Sequence, residues 1–161
     1  MKKYLLFLYI IFLAQVQAQQ EIIPQLKFEE LENRIAEMPA DLLVVNFWAT
    51  TCAPCVKELP DFMEVNRKYE SNPGFKMLLV TLDRTRDMER VKKFITDKNI
   101  AAKVVLLDDN KRMNTWIPRF DPEWGGEIPV TIFYRKGVKV HFHNGEMSKP
   151  ELEEIISKHL N

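Results

Sequence analysis

A mixed α/β sheet with helices on both faces is the fold class this sequence predicts, and three observations lead to it. The run Leu42-Leu43-Val44-Val45-Asn46-Phe47-Trp48 is almost continuously apolar and rich in β-branched and aromatic residues. That is the signature of a strand covered on both faces. Strand-like and helix-like segments then alternate along the chain, the pattern of an α/β sheet. Near the carboxyl end, Val130 to Tyr134 and Val138 to His143 flank Arg135-Lys136-Gly137 and read as a hairpin.

Taken in order, Gln25 to Phe28 reads as a short strand and Glu29 to Met38 as a helix stopped by Pro39. The apolar run 42–48 follows. Cys52 to about Tyr69 has helical spacing through Leu59, Phe62, Met63 and Val65. Asn72-Pro73-Gly74 makes a turn into a second buried strand, Phe75 to Leu82. Asp87 to Lys98 is predicted helical from Met88, Val91, Phe94 and Ile95, and Val104 to Leu107 is a third strand. Asn110 to Trp116 is expected to be helical, and Pro118 to Glu127 a loop. Pro150 suits the first position of a final helix carrying Leu152, Ile155 and Ile156.

The first residues bear on compartment. Met1-Lys2-Lys3 is followed by an apolar run from Tyr4 to about Ala14, then by Val16-Gln17-Ala18. A basic start, a short apolar stretch and small residues at a cleavage point describe a secretory signal peptide. Residues 1–18 are therefore expected to be a signal and 19–161 a single domain. An uncleaved anchor is the alternative, although spanning a bilayer takes about 20 apolar residues. Export to a periplasm or cell envelope follows as an expectation. Charge is balanced, with 23 Lys plus Arg against 23 Asp plus Glu. The signs are mixed along the chain, so neither a nucleic-acid surface nor a polybasic membrane patch is indicated.

Two cysteines are present, and they stand together as Cys52-Ala53-Pro54-Cys55. A bridge closing so short a loop restrains the unfolded chain little. A single tight pair in an exported protein is better suited to redox chemistry than to stapling a fold. The pair follows a buried strand and opens a helix. There, unpaired N–H groups and the positive end of the helix dipole favour a thiolate. Cys52 becomes the candidate nucleophile. Cys55, three residues on, lies on the same face and can attack a mixed disulfide.

With Val45-Asn46-Phe47-Trp48-Ala49-Thr50-Thr51-Cys52-Ala53-Pro54-Cys55 and Glu58-Leu59-Pro60 in view, the sequence resembles the thioredoxin superfamily, and within it the exported TlpA/ResA-like branch. Pro60 is similar to the proline that bends the active-site helix in thioredoxins. Ile128-Pro129-Val130-Thr131 resembles the cis-proline strand start that faces the disulfide and holds a client. The resemblance implies a thioredoxin-like fold, a central mixed sheet with an extra helix and strand inserted before the cis-proline strand. It implies that Cys52 and Cys55 are catalytic, with Glu58 handling a proton. Trp48, Ala53, Pro54, Ile128 and Pro129 are then expected around the client site, Trp48 as a packing wall beneath it.

The chain departs from the pattern in places. Thr51 stands where most relatives have Trp. Asn46 occupies the position of the buried Asp of thioredoxin and cannot exchange a proton near neutral pH, which moves that task to Glu58. The full amino-terminal hairpin of the branch is not visible. Each site also has a plainer explanation. Glu58 can be a solvated acid in the first turns of a helix, Pro129 an ordinary strand-start proline, and Trp124 either a groove residue or a cap on the core. His141 and His143 read as edge-strand residues, and Asp108-Asp109-Asn110 as turn and cap chemistry.

Zinc is the first rival for the cysteines. A structural site needs about four ligands, and only His141, His143 and His159 could supplement the pair. No metal and no cofactor is expected. The leading expectation is a reductant of protein disulfides, because Ala53-Pro54 lacks the histidine of strongly oxidising relatives. Its partners would be disulfide or dithiol client proteins and an unidentified membrane electron donor, with the protein itself a monomer. A thiol peroxidase is the second reading, although Ala49 stands where peroxiredoxins place a Thr. A disulfide-forming oxidase and a client-binding module with dispensable cysteines complete the alternatives.

Overall fold

In a computed structural model of the chain, residues 22–160 are described. The expected signal, residues 1–18, lies outside them. Six strands form one sheet: β1 (Gln25–Leu26), β2 (Leu42–Trp48), β3 (Phe75–Thr81), β4 (Lys103–Leu107), β5 (Val130–Arg135) and β6 (Val138–Asn144). Their spatial order is β1-β4-β3-β2-β5-β6. The first four run parallel, β5 is antiparallel to β2, and β6 is antiparallel to β5. The predicted mixed sheet is therefore present, with β2 at its centre.

Five helices cover the faces: α1 (Phe28–Ala36), α2 (Ala53–Tyr69), α3 (Met88–Asp97), α4 (Met113–Phe120) and α5 (Lys149–Leu160). Residues of β2 alternate between two cores, as the period of a strand requires. Leu43, Val45 and Phe47 pack with Phe28, Leu31 and Ile35 of α1 and with Trp116, Ile117 and Phe120 of α4. Leu42, Val44 and Trp48 pack on the opposite side with Cys55, Leu59 and Phe62 of α2 and with Leu152 and Ile156 of α5. The inserted helix and strand are α3 and β4. No helix among the described residues is long and apolar enough to cross a membrane.

Several boundaries differ from those expected, each for a tertiary reason. The helix α1 starts at Phe28 rather than Glu29 because Asp109, 81 residues away, accepts the Phe28 N–H at 3.1 Å. The expected helix over Asn110 to Trp116 is instead a 3-10 turn at Asn110–Arg112 followed by α4. That helix continues through Pro118, which was expected in a loop. Pro118 itself is exposed, while burial of Trp116, Ile117 and Phe120 rewards the helical spacing. The last helix begins at Lys149, with Pro150 second. Ser148 precedes it as a capping residue whose N–H donates to Glu151 Oε2 at 2.9 Å.

The Asp108-Asp109-Asn110 segment is indeed structural. Asp108 accepts from Lys27 Nζ at 2.8 Å, and Asp109 binds Arg112 and the start of α1. Trp124 caps the core. Its ring lies 4.8 Å from Phe47 and 5.7 Å from Trp116, and its Nε1–H donates to the Glu127 carbonyl at 2.7 Å. Trp124→Ala is expected to cost about 3–5 kcal/mol, as for other buried aromatics cut to alanine. Urea unfolding of the variant measures it; a loss under about 1 kcal/mol would mean the loop carries the ring without the core needing it.

Candidate active site

The end of β2 leads into a tight turn and then into α2, and this junction places both cysteines. Cys52 is the N-cap of α2, and its sulfur accepts the Cys55 N–H at 3.3 Å. Ala53 and Pro54 occupy the first helical positions, where a missing N–H costs nothing. Cys52 and Cys55 are joined as a disulfide. Their surroundings differ. Cys55 is wholly buried against β2, whereas Cys52 is half-buried, and Ala53 and Pro54 beside it are exposed. Only one sulfur of the pair can be approached by a protein.

Opposite the pair, the Ile128–Pro129 peptide is cis, and the Ile128 carbonyl oxygen lies 3.6 Å from Cys52 Sγ. Two regions some 76 residues apart in sequence thus meet at one sulfur. Trp48 has no exposed surface. Its ring stands 5.2 Å from Phe94 of α3, so it forms the wall behind the pair and offers no face to a client.

Glu58 is 2 % exposed, although the amino-terminal turns of a helix commonly present such a residue to water. Its Oε1 accepts from Asn46 Nδ2 at 2.8 Å, and its Oε2 accepts from the Met147 N–H at 2.8 Å. Burial pushes its pKa up to about 7, against the opposing effect of those two donors and with help from the nearby Glu146 charge. A carboxyl half-protonated near neutral pH, one helical turn beyond Cys55, is suited to exchange a proton there.

Asn46 Nδ2 also donates to Thr131 Oγ1 at 3.1 Å, so a single amide spans α2 and the cis-proline strand β5. Asn46 Oδ1 and Trp48 Nε1 are buried without hydrogen-bond partners among the described residues. Each such group costs about 1–3 kcal/mol, and unsatisfied polar atoms of this kind concentrate at working sites.

The sequence reading did not include Thr131 or the Met147 N–H as neighbours of Glu58. Thr131 was within reach of pattern, because a strand that pairs antiparallel with β2 must place some residue opposite Asn46. No local signal marks Met147. His141 and His143 stand on the edge strand β6, paired with Phe133 and Thr131 of β5, with His141 against the Phe133 ring and His143 Nε2 3.2 Å from the Glu146 carbonyl oxygen. Among the described residues, no three His, Cys, Asp or Glu side chains stand together to hold a metal ion.

Comparison with known proteins agrees with this geometry. Residues 18–143 match the model of the AhpC/TSA family. Thiol-disulfide oxidoreductase ResA of Bacillus thuringiensis is 25% identical over 145 residues, spanning 88% of this chain and 76% of its own length. A thiol:disulfide interchange protein of the thioredoxin family from Chlorobium tepidum superposes with a TM-score of 0.63 at 23% identity, covering 76% of this chain and 82% of the other. StoA of Bacillus subtilis superposes with a TM-score of 0.57 at 23% identity, covering 73% and 84%. With a thioredoxin-like fold and a CxxC disulfide at the head of its central helix, the chain belongs to the AhpC/TSA family and is a thiol–disulfide oxidoreductase of the thioredoxin superfamily.

Proposed function

We propose that this protein reduces disulfides in exported client proteins, with Cys52 attacking, Cys55 resolving and Glu58 carrying a proton. The observation that supports it is the asymmetry of the pair: a reachable Cys52 beside cis-Pro129, bonded to a wholly buried Cys55 that rests in the same core as Glu58. In the reduced protein the Cys52 thiolate attacks one client sulfur, and the other client sulfur leaves as a thiolate and takes up a proton. Cys55 then gives its proton to the Glu58 carboxylate and attacks Cys52. The second client thiol departs, and the pair is left as the disulfide. Two electrons have moved to the client, so an external dithiol, for which a membrane donor is proposed, must restore the pair.

Ala53, Pro54 and Ile128 form the rim on which an extended client segment would lie, with the buried cis-Pro129 shaping that rim from beneath. Export, cleavage after residue 18 and a monomeric state belong to the same proposal. Ala49 supplies no hydroxyl three residues before Cys52, which argues against peroxide as the substrate.

The direction of electron flow is tested by equilibrating the protein in redox buffers and quantifying the Cys52–Cys55 disulfide. A potential near thioredoxin's, about −270 mV, is expected of a reductant. A value near about −120 mV would make it an oxidant of folding clients.

A further inference from the structure

The turn that delivers Cys52 is tied to the inserted segment by a closed ring of hydrogen bonds. Cys52 N–H donates to the Ala49 carbonyl at 3.1 Å and closes the turn. Inside it, Thr50 donates its N–H to Asp83 Oδ2 at 2.8 Å and its hydroxyl to Asp83 Oδ1 at 2.6 Å. Thr50 Oγ1 in turn accepts from Arg90 Nε at 2.8 Å. Arg90, on α3, completes the ring by donating Nη2–H to Asp83 Oδ1 at 2.9 Å, and its Nη1 reaches Asp87 at 3.3 Å. The Thr81 hydroxyl also donates to Asp83 Oδ2, at 2.6 Å.

Asp83 is 4 % exposed. Burial alone would raise its pKa, but the bonds from Thr50, Thr81 and Arg90 outweigh that and hold the carboxyl below its usual range. Asp83 is buried while the Arg90 side chain is 47% exposed, and an ion pair of this kind adds little to stability compared with apolar packing. What it does is set two opposite full charges against the chain two residues ahead of Cys52. Consecutive Cα atoms are about 3.8 Å apart, so both charges lie on the order of 10 Å from Cys52, roughly one Debye length.

We propose that Asp83 and Arg90 are positioning residues for Cys52, a charge-balanced strut that holds the Ala49–Cys52 turn and sets how much of Cys52 is thiolate. This gives the inserted helix α3 a role at the reacting sulfur. It rests on the reading that Cys52 is the attacking thiol. The other charged groups on elements packed around the turn are Lys57, paired with Glu146; the buried Glu58; Glu127, held by Asn144; and Arg84, Arg86 and Asp87 beside the strut. Of these, Asp87 alone is touched by the substitutions below: it loses its Arg90 partner in Arg90→Met, which adds to the uncompensated negative charge and leaves the expected direction unchanged.

The test is the pH profile of Cys52 alkylation by iodoacetamide in the reduced protein, with the adduct mapped by mass spectrometry. Arg90→Met leaves the Asp83 charge uncompensated, which disfavours a thiolate, and its profile is expected to move up by about half a pH unit at low ionic strength. At pH values below the midpoint of the profile that is about a threefold slower reaction. Asp83→Asn leaves the guanidinium in excess, and its profile moves down by a similar amount. Arg90→Lys keeps the charge and stays near the unsubstituted profile. Salt at about 1 M, where the Debye length is about 3 Å, brings all the profiles together.

A turn that is merely loosened would shift both charge-changing variants in the same direction. Shifts in the same direction, or none, overturn the strut while the unsubstituted protein still titrates at Cys52. An adduct on Cys55 rather than Cys52 in the unsubstituted protein overturns the assignment of the attacking thiol, and the strut with it.

Discussion

Cys52→Ser is expected to abolish disulfide turnover, with a loss of at least about a thousandfold, because a serine hydroxyl is neither ionised at neutral pH nor able to form the mixed disulfide. Cys55→Ser should behave differently. Its Cys52 still attacks, but no resolving thiol follows, and a covalent adduct with the client accumulates. The contrast comes from burial, since Cys52 is reachable and Cys55 is not. Steady-state reduction of a model disulfide protein, followed by thiol release and by mass, reads both results. Appreciable turnover in Cys52→Ser would move the nucleophile elsewhere. A Cys55→Ser variant that turns over normally would remove the resolving step. If both variants serve the cell as well as the unsubstituted chain, the protein works as a binding module and the dithiol chemistry is dispensable.

The second large effect is a dependence of stability on pH that originates at Glu58. The folded protein holds this carboxyl's pKa at about 7, whereas an unfolded chain leaves it at the ordinary 4.5. Between those values the folded state binds more protons than the unfolded state. Stability from this group is therefore fully present below about pH 4.5 and is lost as pH rises through 7. The difference corresponds to about 3 kcal/mol. Glu58→Gln removes the titration, and its amide can pair with the orphaned Asn46 Oδ1 if the Asn46 side chain turns over. The free energy of urea unfolding of the oxidised protein, measured for both chains from pH 4.5 to 8, should fall by about 3 kcal/mol more in the unsubstituted chain. Parallel curves would show that Glu58 is hydrated and titrates normally, and its place in proton transfer would go with them.

These two results divide along the line between what can be read locally and what cannot. The mixed α/β sheet, its central strand 42–48, the Cys52–Cys55 pair at a helix start and the hairpin after Pro129 are all legible in the sequence. Each rests on short-range regularities: a run of apolar residues, a spacing of three, a turn around glycine. Glu58 could be named from the family resemblance and its spacing to Cys55, but its chemistry could not be decided there. An acid in the first turns of a helix is ordinarily solvated, and nothing local indicates that residues 46 and 147 close over it.

The limits of the elements follow the same division. Phe28 begins α1 because of Asp109, and α4 runs through Pro118 because three aromatic and aliphatic side chains find a core. Trp124 could equally have lined a groove, until Phe47 and Trp116 enclosed it. The ring through Thr50, Asp83 and Arg90 joins three segments separated by up to 40 residues, and the separation leaves no periodicity to detect. What the sequence by itself determined is the fold class and the two sulfurs, because apolar period and residue spacing act over a few residues. What only the tertiary structure decided is which sulfur is exposed, which acid is buried and which charges border the turn, because burial and long-range hydrogen bonds exist only once distant segments pack.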